Sequence, residues 1–260
     1  MTTTTLTRIE HRGWTDGLAN LTRKEFGQWW STKLWLIQVA LWVFMLDGIS
    51  FAIMSDPSMT AAAVTEEAVR SFPLIAATAV VIGVILTVQG AVVGEREMGT
   101  AAWVMSKPAS RASFIVSKLA AHSFGFLATA IVIPTVVFAV EAAILLPLPV
   151  SYGAIATSSL VLGLAVVFYV TLTLALGTMF HGRGPVAGIA IGLVLAGQFF
   201  KGMLPIGIVK LTPWLLGDIA GTIAVGEPLE SGWLVPVVVT ATATVTLLAI
   251  ALRRFNSEEL

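Results

Sequence analysis

Apolar residues run along the chain in six long blocks, at about 34–54, 72–93, 118–146, 153–179, 185–204 and 232–252. Each is near the roughly 20 residues that cross a hydrocarbon core about 30 Å thick at about 1.5 Å per residue. None alternates with a period of two, so a β-barrel is not expected. The pattern predicts an all-α polytopic membrane protein. Six transmembrane helices fill residues 34–252, between an N-terminal segment 1–33 and a tail 253–260.

Two further stretches are apolar without being long enough to cross. From Trp14 to Trp30 the period is helical, with Trp14, Leu18, Ala19, Leu21, Phe26, Trp29 and Trp30 on one half of the wheel. Asp16, Asn20, Arg23, Lys24 and Gln28 take the other half, and Glu25 intrudes on the apolar arc. Tryptophans on one side and cations on the other predict a helix lying in the membrane interface. Residues 205–231 mix apolar side chains with prolines and glycines. Short re-entrant helices shielded by neighbouring spans are expected there, because irregular backbone at membrane depth needs protein around it.

Composition agrees: 57% of residues are hydrophobic and 12% charged, against about a quarter charged in a soluble domain. The formal net charge is zero, which gives no sign of a nucleic-acid partner. With no cysteine, the chain has no disulfide, thiolate metal site or catalytic thiol. The opening MTTTTLTRIEHRGW lacks the apolar core of a signal peptide.

Charge orients the spans. Arg8, Arg12, Arg23, Lys24, Lys33, Arg96, Lys107, Arg111, Lys118, Arg183, Arg253 and Arg254 fall on the side of the termini, leaving Arg70, Lys201 and Lys210 opposite. That bias puts both termini in the cytoplasm of a cell-membrane protein.

Candidate catalysis is sparse. The sequence contains no GxxxxGK[ST] phosphate loop, no HExxH and no GxSxG, and His11, His122 and His181 are scattered, so no metal site is expected. Two charges do fall inside spans, Asp47 and Lys201, at similar depths. They form a candidate intramembrane pair; the alternative, slightly favoured, has Lys201 snorkelling to the headgroups and Asp47 reaching interfacial water. Glu141, near the outer end of the third span, is expected to be solvated. In the fifth span Gly184, Gly188, Gly192 and Ala196 form a small-residue stripe that lets another helix approach closely. Pro134 is expected to kink the third span.

The longest cytoplasmic connection reads GEREMGTAAWVMSKPASRASFIVSK from Gly94 to Lys118. EREMGTAAWVM has good helix formers and acidic residues at its start. Lys107-Pro108 ends that helix, and Ser110 can cap the next. A short helix at about 95–107, braced between two spans, suits docking better than a solvated loop.

This segment resembles the coupling region of type-2 ABC exporter permeases: an acidic-basic pair, GT, an apolar stretch, S-x-P-x-S-R and a basic residue opening the next span. LTRKEFGQWWSTKLWLIQ is similar to the family's interfacial elbow helix, LTPW to its outer re-entrant region, and LRRFNSEEL to its charged tail. The resemblance implies a permease subunit of an ATP-driven exporter, pairing with a second permease copy. It also implies two separate ABC ATP-binding subunits, which would bind ATP and magnesium; no cofactor is expected in this chain. Coupling would fall on Glu95, Arg96, Glu97, Gly99, Thr100, Lys107 and Arg111, and the elbow role on Arg23, Lys24, Glu25, Trp29 and Trp30. Gly184, Gly188 and Gly192 would serve helix packing at the dimer interface. A self-contained secondary transporter would want inverted repeats and discontinuous helices, and no convincing repeat is seen. An ABC-linked membrane assembly factor is the third reading.

Overall fold

The structure, a computed structural model, describes residues 13–100 and 109–257. A short helix α1 (Leu18–Trp30) leads into α2 (Leu34–Met54), α3 (Ala61–Glu97), α4 (Arg111–Leu145), α5 (Tyr152–Met179) and α6 (Arg183–Phe200). Two shorter pieces follow, α7 (Ile206–Val209) and α8 (Pro213–Val225), before α9 (Leu234–Asn256) closes the bundle. The six long helices are the ones apolar and long enough to cross a membrane, as the hydropathy pattern predicts. Among the described residues there are no strands.

α5 is the central post. It is apolar all round and almost wholly buried from Leu162 to Thr178, with α3, α8 and α9 packed against it, as expected of a helix surrounded by others. The outer helices turn Phe44, Ile144, Phe199 and Val238 outward. For a membrane-spanning bundle that outward apolar surface is the lipid-facing one, because no hydrophobic penalty attaches to it there.

α3 and α4 are longer than their apolar blocks. Thr60 caps α3 by accepting from the Ala63 amide, and Ser110 caps α4 by accepting from the Ser113 amide. The added turns carry polar residues that hydropathy does not count. At its far end α3 runs through Glu97, so Glu95, Arg96 and Glu97 belong to its last turn and do not open a separate helix. The break comes at Gly99, whose φ of 68° is the left-handed conformation glycine tolerates best. Lys107, with the rest of 101–108, lies outside the described residues.

Pro134 is accommodated by a wide π turn at Leu127–Val132, after which the α-helix resumes at Ile133. The wide turn absorbs the backbone donor that proline lacks. α2 carries a second π turn at Val43–Asp47, and the two helices pack along each other through these turns.

Close packing rests on three glycine–tryptophan contacts. A Cβ at Gly83 would lie 2.5 Å from the Trp42 ring, one at Gly125 2.6 Å from Trp29, and one at Gly197 2.5 Å from Trp214. By contrast, a Cβ at Gly184, Gly188 or Gly192 would meet nothing within 4 Å. The stripe on α6 therefore faces away from the rest of the chain.

Candidate functional site

Four charges from three helices meet at one end of the bundle. Leu21, Glu25 and Trp29 recur every four residues on α1, which puts them on one face, and that face is buried. The face lies against the first turns of α4, where Lys118 is only 2% exposed. Its ammonium donates to Glu25 Oε1 at 3.0 Å and to Glu95 Oε1, on α3, at 2.7 Å. Lys24 reaches over from the α1 surface and donates to the same Glu95 oxygen at 2.9 Å. Two ammonium groups and two carboxylates make the cluster neutral, the condition under which buried charge is tolerated. Burial pulls the Lys24 ammonium down, but Glu95 and Glu25 outweigh it and hold the group above its ordinary value.

The rest of the GERE segment ties down the other helix ends. Arg96 donates to the carbonyls of Gly177 at 2.9 Å, Thr178 at 3.3 Å and Phe180 at 3.4 Å, at the C-terminus of α5. Those carbonyls have no intrahelical partner, and the helix dipole favours a cation there. Arg183, opening α6, pairs with Glu97 at 3.3 Å and lies across Gly90 and Gly94. A side chain at Gly94 would come within 2.9 Å of that guanidinium. On the other flank, Arg111 donates to the carbonyls of Phe255 and Asn256 at 3.1 and 2.8 Å, closing α9. Phe114 stacks on Phe255 with centroids 5.0 Å apart. Ser110 and Ser113 both donate to the Trp14 carbonyl, and the Ser110 amide donates to Asp16. Thr100 donates back to the Glu95 carbonyl at 3.0 Å. The two chain ends that enter residues 101–108 are thus fastened to α1, α5, α6 and α9.

The sequence-derived residues divide accordingly. Glu25, Lys24 and Glu95 converge in one cluster, and Arg96, Glu97 and Arg111 engage neighbouring helix ends. Arg23 faces solvent. Trp29 donates to His122 Nδ1 at 3.2 Å and packs edge-on against Phe126, while Trp30 packs on Trp35 and Phe124. Lys118 carries the cluster; the sequence marks it as an orienting positive charge and as the basic residue opening the third span, with no acidic partner assigned. The misplaced-looking Glu25 was the available signal, since a carboxylate on a buried face needs a cation partner.

At the opposite end Lys201 does not meet Asp47. It pairs with Asp218 of α8 at 2.8 Å, an acid that the sequence reading did not consider. α8 folds back against α3 and α5, bringing its first turns to the end of α6. The pair borders a cavity of about 300 Å³ whose wall includes Thr78, Tyr169, Gln198 and Trp214. Gln198 donates to Thr78 at 2.8 Å. Arg70 pairs with Glu227 at 2.7 Å and Lys210 donates to the Ser231 carbonyl, so all three cations of this end are engaged. Asp47 is elsewhere, buried in the α2 π turn.

Six helices long and apolar enough to cross a membrane define a multi-pass membrane protein. Residues 19–217 match the ABC-2 family transporter protein family, and the chain belongs to it. It is also similar to an uncharacterized transmembrane protein, YxlG, of Bacillus subtilis (strain 168), with 34% identity over 137 residues. That match takes in 52% of this chain and 50% of the relative, so the chain spans about half the length of the relative it resembles. Membrane subunits of this family associate in general with an ATP-binding subunit and are not themselves the catalytic part.

Proposed function

We propose that the chain is the permease subunit of an ATP-driven exporter. Two copies form the pathway in the cell membrane with their termini in the cytoplasm, and two separate subunits bind ATP and magnesium. The segment between α3 and α4 is the handle on which the ATP-binding subunit pulls, with Lys107 in its undescribed part. One observation carries this reading: both flanks of that segment are bound to the ends of other helices. Glu95, Arg96, Glu97 and Arg111 are then positioning residues that pass a displacement on, and the Glu25–Lys118–Glu95–Lys24 cluster moves α1 with it. The outward stripe of Gly184, Gly188 and Gly192 is available for a second permease copy.

The test is coexpression with a soluble ATPase that carries a phosphate-binding loop. The two should copurify, and membrane vesicles should show ATP-dependent flux. Replacing residues 99–108 by a glycine–serine linker of equal length should abolish both. Flux that persists without any ATP-binding partner would defeat the reading.

A further inference from the structure

Asp47 is 1% exposed, and among the described residues neither of its carboxylate oxygens has a hydrogen-bond partner. It lies about 20 Å along α2 from Leu34 at about 1.5 Å per residue, beyond the middle of a core about 30 Å thick. The π turn puts it there. Gln38 and Trp42 are four residues apart on α2, and the next step to Asp47 is five. In an α-helix a five-residue step overshoots a full turn by about 140°, but the wider π turn returns Asp47 toward the buried face. Trp42 Nε1 on that face is also buried without an acceptor, so it does not serve the carboxylate.

Among the described residues, the helices packed around this turn bring no unpaired cation. α4 contributes Glu141, whose Oε2 is buried with no hydrogen-bond partner among the described residues. α3 contributes Glu66, Glu67 and Arg70, and Arg70 is held by Glu227 and Glu66 at 2.7 and 3.4 Å. Among the described residues no group of three or more acidic or histidine side chains could cage a metal ion. An ionised carboxylate buried without a cation or a donor beside it is among the costliest arrangements a protein interior offers. Taking up a proton removes that cost.

We propose that Asp47 is a proton-binding site. The carboxyl is held as the neutral acid while the α2 π turn packs against the outer half of α4, and any rearrangement that wets it releases the proton to water. Parting of α2 and α4 at that level is therefore linked to one proton, whichever partner or cargo drives it. The proposal goes beyond the permease reading and stands apart from it.

The full chain in lipid nanodiscs serves for the test. Infrared difference spectra should show a buried carboxylic-acid band at neutral pH that disappears in Asp47→Asn. The band should move when wild-type protein carries isotope-labelled aspartate, a control that needs no variant to fold. Thermal unfolding supplies a second readout. An unfolded aspartate ionises near about pH 3.9, so above that pH the folded wild type holds one proton more than the unfolded chain. Its stability should then fall with rising pH relative to Asp47→Asn, until the folded carboxyl itself ionises. The expected result is a midpoint gap that widens in favour of Asp47→Asn from about pH 5 toward about pH 8. No aspartate-dependent acid band at neutral pH, or a gap that stays constant or narrows as pH rises, would overturn the proposal.

Discussion

Lys118 and Glu95 face each other across the α3–α4 junction at 2.7 Å, and only 2% of the Lys118 side chain is exposed. The 22 positions from Arg96 to Ser117 lie between these two residues and make up the charged island between the second and third spans. The contact therefore closes the base of the island, and Glu25, 3.0 Å from the same ammonium, joins α1 to that base.

Removing Lys118 leaves two buried carboxylates with only the half-exposed Lys24 to balance them. Lys118→Ala should destabilise the chain by about 3–5 kcal/mol, the cost of an uncompensated buried charge. Combining Lys118→Met with Glu25→Gln and Glu95→Gln removes every buried charge and should recover most of that loss. Thermal unfolding in detergent checks both, and equal midpoints for the single and triple variants would show that the charges are not coupled.

Arg96 contacts three carbonyls with a forked, planar group that lysine cannot imitate. Arg96→Lys should therefore cost about 1.5–3 kcal/mol, the worth of hydrogen bonds to a charged group. The loss should appear first as faster amide hydrogen exchange at the end of α5, around Thr178.

Glycine-to-alanine changes should separate internal packing from outward packing. At Gly83, Gly125 and Gly197 the new methyl would meet a tryptophan ring at 2.5–2.6 Å. Overpacking there should cost about 1–3 kcal/mol. At Gly188 and Gly192 the space is open, so stability of the single chain should change by less than about 0.5 kcal/mol. Weakened self-association of those two variants, by crosslinking or native mass spectrometry, would mark the stripe as the contact with a second copy.

How far the sequence reached depended on the physics behind each feature. Hydropathy found all six spans because length and apolar composition alone decide membrane crossing. It misjudged the start of α3, where the Thr60 cap extends helix into polar sequence, whereas the Ser110 cap that opens α4 was legible in the sequence. The Asp47–Lys201 pair, the less favoured of the two readings, rests on equal depth, which fixes height in a bundle but not direction around it. Lys201 turns toward α8, whose fold-back no periodicity foretells. Glu25 shows the opposite case: its misfit on an apolar arc was legible, and only its partner, 93 positions away, was not.

The Lys201–Asp218 pair offers a direct check of that correction. Both side chains are partly exposed, at 30% and 42%, so their coupling energy should be at most about 1 kcal/mol. A double-mutant cycle on unfolding should detect it for Lys201→Ala with Asp218→Ala. The cycle for Lys201→Ala with Asp47→Ala should be additive within about 0.5 kcal/mol.

On the proposed permease reading, the buried cluster transmits motion from the 94–118 segment to the transmembrane helices. The most direct measurement compares ATP hydrolysis with flux in vesicles containing the permease and its ATP-binding partner. The permease is either wild type or the triple variant Glu25→Gln, Glu95→Gln and Lys118→Met. The account predicts a complex that assembles and hydrolyses ATP while flux per ATP falls by about 5–150-fold, the usual span of a coupling free energy. Flux per ATP equal to that of the wild type, in an intact complex, would contradict it.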